Sequence, residues 1–256
     1  MVYHINKDGS RSRIFSSLYY KTGMDDTLRE NIDDQVVRVR KGKASFILVD
    51  GELGSGKTNT GITIARHVQP DFNMVNQVGR GTEQFIKALE YTRNHEPTFM
   101  CVGKAEPIKA CVFDEAHTFN KKRTMSKMNQ DINTIFNVCR HEKIIIILVL
   151  PHFSELDNGI YNTGAVRGLV HMRDMYKDYS DVLNYDGIAI ENMLDYIDRW
   201  KTKVGKRKIN RDCYKKARRS FGHVRLNKEY YKSIAVSSNI GKNDLIKQSM
   251  SSISSL

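Results

Sequence analysis

ASFILVDGELGSGKT, residues 44–58, decides how the rest of the chain is read. Ala44–Asp50 is an apolar run that ends at a glycine-rich turn, the pattern of a buried parallel strand. Gly51–Thr58 then fits GxxxxGK[ST] at every position. The chemistry accounts for the spacing. Glycines let the loop curl until successive backbone N–H groups face one phosphate, and the following helix adds the positive end of its dipole. The expected nucleotide cradle is therefore Gly51, Glu52, Leu53, Gly54, Ser55, Gly56, Lys57 and Thr58. Lys57 would reach the β- and γ-phosphates of ATP, and the Thr58 hydroxyl would ligate Mg2+.

Downstream, strand and helix patterns alternate. Lys57–Val68 carries Ile62, Ala65 and Val68 at helical spacing, and Pro70 stops it. Asp71–Asn76 reads as a short second strand. Glu83–Asn94 reads as a helix with Phe85, Ile86 and Leu89 on one side. Lys109–Asp114 is a third strand. Ser126–Cys139 places Met128, Ile132, Ile135, Phe136 and Cys139 on one helical stripe. Lys143–Leu150 is a fourth strand, closed by Pro151, and Gly168–Arg173 a fifth. Such alternation predicts an α/β fold, a mostly parallel sheet flanked by helices, with ligands beyond the carboxyl ends of the strands. The expected organisation is an N-terminal extension (1–43), an ATPase core (44–184), a basic helical appendage (185–248) and a flexible tail (249–256).

Hydrolysis needs more than a cradle. Ala110–Phe113 is a small, apolar run that ends in Asp114-Glu115. Asp114 at the strand tip would hold the Mg2+ shell, and Glu115 would polarise the attacking water. Asn76, at the end of the expected second strand, is a candidate polar contact to Glu115. Asp114–His117 also spells the DEAH box of a helicase class, but those enzymes close their site with a second RecA-like domain for which too few residues remain.

The bulk composition narrows the classes. Hydrophobic residues make up 40% and charged residues 27%, which allows an ordinary packed core. The longest apolar run, Ile144–Leu150, is far shorter than the about 20 residues that span a bilayer. No signal peptide and no integral membrane segment are expected, which points to the cytoplasm (host cytoplasm if the chain is viral). Cys101, Cys111, Cys139 and Cys213 lie far apart with no CxxC pair, which argues against zinc and disulfides. The balance of 41 basic against 29 acidic residues, a formal charge of +12, favours a polyanionic partner. The excess concentrates between Arg199 and Lys232, where only Asp212 and Glu229 oppose thirteen cations after Arg199 and where Tyr214, Phe221, Tyr230 and Tyr231 are interleaved. Contact with the phosphate backbone of double-stranded DNA, without sequence readout, is the expected role. Lys121, Lys122, Arg123 and Lys127 form a second, smaller group in the loop after the Asp114-Glu115 strand, which in a ring would face the pore.

GELGSGKT (51–58), CVFDEAH (111–117), Arg140-His141 before an Ile-rich strand, His152 at its tip and Arg167 before the fifth strand together resemble the FtsK/HerA superfamily of DNA-pumping ATPases. Within it, the likeness is to the genome-packaging ATPases of double-stranded DNA viruses, over about residues 44–175. The resemblance implies a RecA-like additional-strand P-loop NTPase, with the Ile144–Leu150 strand between those carrying the two Walker motifs. It makes His152 the candidate γ-phosphate sensor, where many relatives carry Gln. It also implies a homo-oligomeric ring, a hexamer or pentamer, in which Arg140 or Arg167 completes a neighbour's site. Zonula-occludens-toxin-like assembly ATPases share much of this layout but usually carry a membrane segment. An AAA+-like switch for replication initiation or loading is the other reading.

Overall fold

Strand β3 (Ser45–Gly51) is buried along its entire length and occupies the middle of the sheet. The computed structural model describes residues 3–5, 11–13, 23–97, 107–116, 135, 139–156, 158–175, 179–200 and 206–225. Compactness divides the chain into Met1–Leu226 and Asn227–Leu256, and every described residue lies in the first unit. Tyr3–Ile5 (β1) and Arg11–Arg13 (β2) pair as a separate antiparallel ribbon.

The main sheet has seven strands. Beside β3 they are β4 (Val78–Arg80), β5 (Lys109–Asp114), β6 (Ile144–Val149), β7 (Val166–Met175), β8 (Tyr179–Asp186) and β9 (Ser220–Arg225). Their order is β4-β5-β6-β3-β7-β8-β9. The first five run parallel, while β8 and β9 are antiparallel additions. Strand β6 therefore lies between β3, which leads into the glycine-rich loop, and β5, which ends in Asp114. This is the additional-strand arrangement of RecA-like P-loop NTPases, and the expected fold class holds.

Burial follows from composition. Every residue of β3, β5 and β6 is buried, as near-continuous apolar runs in a doubly covered parallel sheet should be. Helix α1 (Asp26–Arg40) packs through Leu28, Ile32 and Val39, and Asp25 caps it by accepting from Leu28 N at 2.8 Å. Helix α2 (Lys57–Val68) is buried nearly all round. At Gly61 a Cβ would come within 3.1 Å of Val149 Cγ2, so the helix lies directly on the sheet. Helix α3 (Gly81–Asn94) buries Phe85, Ala88 and Leu89, and Phe85 stacks on Phe113 at 4.4 Å, but Ile86 faces solvent. A short helix α4 (Asn158–Asn162) precedes β7; α5 (Gly187–Trp200) and α6 (Lys206–Cys213) lie between β8 and β9.

Three expectations change. The second strand is Val78–Arg80, not 71–76, because the Asn73 side chain accepts from the backbone N–H groups of Val75 and Asn76 and bends that segment into turns. The boundary set at residue 184 falls inside β8, and the chain beyond it returns to the same sheet as β9. Residues 1–43 include α1, whose Leu28, Ile32 and Val39 are core. The helix expected at 126–139 lies outside the described residues except for Ile135 and Cys139. Among the described residues, no helix is long and apolar enough to cross a membrane.

Candidate nucleotide site

The loop at Gly51–Thr58 joins the carboxyl end of β3 to the amino end of α2, at the strand ends where ligands of such sheets sit. Gly51 has φ +144°, and a Cβ there would meet Met172 Cβ at 2.7 Å and its carbonyl oxygen at 2.8 Å, so only glycine fits. Gly56, at φ +88°, caps α2 and directs the first turn of the helix into the loop. Lys57 Nζ donates to the carbonyl oxygens of Gly51 (2.9 Å) and Glu52 (2.5 Å), folding back across the loop. Partial burial lowers its pKa, and the nearby Asp50, Asp114 and Glu52 oppose that shift. The Ser55 hydroxyl is buried in the same loop with no hydrogen-bond partner among the described residues. Leu53 is fully exposed at the loop tip.

The second half comes from β5. Asp114, buried at its tip, accepts from the Thr58 hydroxyl at 3.0 and 3.2 Å on its two oxygens. Burial pushes the Asp114 carboxyl up, and the Thr58 hydrogen bond and the Arg80 guanidinium pull it back. A hydroxyl and a carboxylate brought together beside a phosphate cradle are hard oxygen donors, which suit Mg2+ held in part by substrate phosphates. Glu115 follows with φ +63°, in a region that non-glycine residues rarely enter, and its side chain is exposed. Such a conformation costs on the order of 1–3 kcal/mol and is found preferentially at functional sites.

The remaining candidates make other contacts. His152 has Nδ1 2.7 Å from Ser154 Oγ, two residues on, and Nε2 3.3 Å from the Asn210 carbonyl oxygen of α6. Burial lowers its pKa. Asn76 is an exposed turn residue well before the β4 tip. Arg140 is exposed and donates to the Gly42 carbonyl oxygen at 3.0 Å. Arg167 donates to the Gly164 carbonyl oxygen at 2.8 Å and is the extra residue at a bulge, because Phe46 pairs with Val166 and Ile47 with Gly168. Both arginines lie at the amino ends of parallel strands, the edge opposite their own cradle. His117, Lys121, Lys122, Arg123 and Lys127 fall outside the described residues.

Two neighbours of the site were not among the expected residues. Arg80, at the β4 tip, places Nε 3.5 Å from Asp114 Oδ2. It was legible only as an arginine between two glycines. Asp50, fully buried directly before Gly51, contacts His171, Phe153 N and Tyr214. Its signal was a charged residue closing an otherwise apolar strand.

The basic segment is folded in part. Ile209, Cys213 and Tyr214 are buried, while Lys208, Lys215, Lys216, Arg218 and Arg219 are exposed. Lys201, Lys203, Lys228 and Lys232 fall outside the described residues.

Neither a protein-family profile nor a curated protein sequence matches the chain. Among solved structures, it is similar to the N-terminal domain of zonular occludens toxin from Neisseria meningitidis, at 18% identity over 74% of this chain and 98% of that one (TM-score 0.38). It is also similar to the genome packaging NTPase B204 from Sulfolobus turreted icosahedral virus 2 in complex with ATP-gammaS, at 12% identity over 57% and 93% (TM-score 0.37). A third is the replication initiator DnaA bound to AMPPCP and single-stranded DNA, at 14% identity over 72% of this chain and 54% of that one (TM-score 0.36). At these identities and scores the fold assignment rests on strand order and loop geometry.

Proposed function

We propose that the chain is an ATP-hydrolysing motor that moves double-stranded DNA, of the genome-packaging kind, working as a homo-oligomeric ring. The observation that carries the ATPase reading is the Thr58–Asp114 contact beneath the glycine-rich loop, with Glu115 exposed one residue beyond it. The DNA reading is supported by exposed cations on a folded segment, Lys208 and Lys215 to Arg219, which suit sequence-independent backbone contact.

The division of labour follows from position. Backbone N–H groups of Gly51–Thr58 and the Ser55 hydroxyl receive phosphate oxygens. Lys57 exchanges its two carbonyl partners for the β- and γ-phosphates. Thr58 and Asp114 would hold Mg2+, which would supply charge neutralisation at the phosphates when bound. Glu115 accepts a proton from the attacking water and orients it. Because Arg140 and Arg167 face away from their own cradle, either acts only on a neighbour's site, where an arginine finger is worth about 10³–10⁵ in rate.

The deciding experiment is ATP hydrolysis by the purified chain, wild type and Glu115→Gln, with and without long double-stranded DNA. Strong stimulation that vanishes in the variant supports the motor. Hydrolysis indifferent to DNA moves the reading to an ATP-dependent switch or loader. Absence of hydrolysis under all conditions ends both.

A further inference from the structure

Asp50 is 0% exposed and is the residue directly before Gly51. Burying a carboxyl costs several kcal/mol unless hydrogen bonds compensate it. Here the partners come from three separate parts of the chain. His171 Nδ1, on β7, lies 2.8 Å from Oδ1. Phe153 N, beyond β6, donates to Oδ2 at 2.8 Å. The Tyr214 hydroxyl, just past α6, donates to the same oxygen at 2.5 Å. Burial holds the Tyr214 phenol well above its ordinary pKa, so it remains a donor.

Tyr214 is packed as tightly as the carboxyl it binds. Its ring stacks on His171 at 3.7 Å and meets Phe153 edge-on at 5.6 Å. Its carbonyl oxygen accepts from Tyr185 Oη and from Arg219 Nη1, each at 3.0 Å. Arg219 is one of the exposed cations of the basic segment. A second tie runs from His152 Nε2 to the Asn210 carbonyl oxygen on α6. A continuous chain of direct contacts thus runs from a surface arginine, through Tyr214 and Asp50, to the first residue of the phosphate loop.

We propose that Asp50 and Tyr214 are a positioning pair that fixes the start of the phosphate loop and transmits its nucleotide-dependent state to α6 and the basic segment. The inference rests on the reading of Gly51–Thr58 as an ATP cradle. Neither residue is among those proposed to hold phosphate or metal. An apolar strand end packed on phenylalanine would hold the fold without burying a carboxyl, whereas a satisfied polar cluster specifies one geometry among the elements that supply it. A phosphate drawing in the N–H groups of the loop displaces Gly51, and Asp50 is the next link. By reciprocity, whatever nucleotide does to the basic segment, a polyanion there does to nucleotide affinity.

The test is amide hydrogen exchange on the full chain, with and without saturating Mg2+ and AMPPCP. In the wild type, nucleotide slows exchange in peptides covering 51–58 and, by about fivefold, in those covering 206–214. Tyr214→Phe keeps the response at 51–58 and loses that at 206–214. Tyr185→Phe, which also removes one buried hydroxyl and one bond to Tyr214 but none to Asp50, keeps both. A 206–214 response retained in Tyr214→Phe, or lost equally in Tyr185→Phe, overturns the pair. Protection at 51–58 without any response at 206–214 in the wild type overturns it as well. No protection at 51–58 in the wild type sinks the ATP-site reading itself, and the pair with it.

Discussion

Arg80 and Asp114 are register partners across the β4–β5 pair, and Arg80 Nε lies 3.5 Å from Asp114 Oδ2. A guanidinium is thus fixed beside the carboxylate that is proposed to hold Mg2+. Charge-assisted contacts of this type orient a carboxylate as well as stabilise it. Arg80→Gln is expected to lower kcat about tenfold while changing the dissociation constant for ATP by less than about threefold. Steady-state kinetics with a separate nucleotide-binding titration checks this; an unchanged kcat would assign Arg80 to packing alone.

The opposed placement of the arginines gives a mixing prediction. Arg140→Ala or Arg167→Ala, whichever is the finger, keeps ATP binding and loses turnover by about 10³-fold or more. Mixed with Lys57→Ala, it recovers part of the activity, since one subunit then offers an intact cradle and its neighbour an intact finger. Absence of recovery for both arginines argues against a shared site.

Gly79 and Gly81 flank Arg80 and differ in what a side chain would meet. At Gly79 a Cβ would lie 2.3 Å from Phe85 Cα and 2.4 Å from Phe85 N, backbone atoms that cannot yield. At Gly81, φ is +72° with nothing within 4 Å. Gly81→Ala is therefore expected to cost about 1 kcal/mol of backbone strain. Gly79→Ala costs about 3 kcal/mol or more, since α3 must shift. At about 2–4 °C per kcal/mol for a domain of this size, thermal denaturation separates the two variants clearly.

His67 is buried against Asp33, with Nε2 2.9 Å from Oδ1, and burial lowers its pKa below the ordinary 6.5. A base whose folded pKa is depressed binds fewer protons folded than unfolded. Its contribution is therefore present above about pH 6.5 and is lost as pH falls below that value. His152, lowered by the same cause, acts in the same sense. Denaturant unfolding from pH 7.5 to 5 is expected to show falling stability, with a shallower fall in His67→Gln; an equal slope in both would remove His67 from the account.

Lys216 and Arg218 are exposed cations of the proposed DNA-facing segment. Each phosphate contact contributes about 0.9 to the slope of log affinity against log salt for duplex DNA. Lys216→Gln with Arg218→Gln is expected to reduce that slope by about 2, uniformly across sequences, in a fluorescence titration. An unchanged slope places the DNA contact elsewhere.

The parts of the fold set by local chemistry were readable from the chain. The apolar runs of β3, β5 and β6, the glycine-rich turn and Asp114-Glu115 each announce themselves, and the place of β6 between β3 and β5 was implied by the resemblance. What escaped depends on distant partners. Strand β9 reads as a basic stretch because its buried residues Gly222 and Val224 alternate with others and form no apolar run. Helix α1 is mostly polar, so Leu28, Ile32 and Val39 were too sparse to mark a face. The β4 tip was misplaced by two turns' worth of asparagine hydrogen bonding, and with it Arg80. His152 sits at the expected strand tip, yet its Nε2 partner, the Asn210 carbonyl oxygen, comes from α6, 58 positions later in the chain.

Strand order also governs when the cradle can exist during synthesis. Ser45 pairs with Ile145 on one side, and Gly51 with Met172 on the other, so the strand that begins the phosphate loop gains its sheet neighbours only after about a hundred further residues have been made. The last donor to Asp50 arrives later still, with Tyr214. Pairing over such sequence distances is slow, because loop closure must precede any gain from contact. A ribosome-bound chain therefore carries the GELGSGKT letters long before it carries a phosphate site, and nucleotide can stabilise only chains whose sheet is already closed around β3.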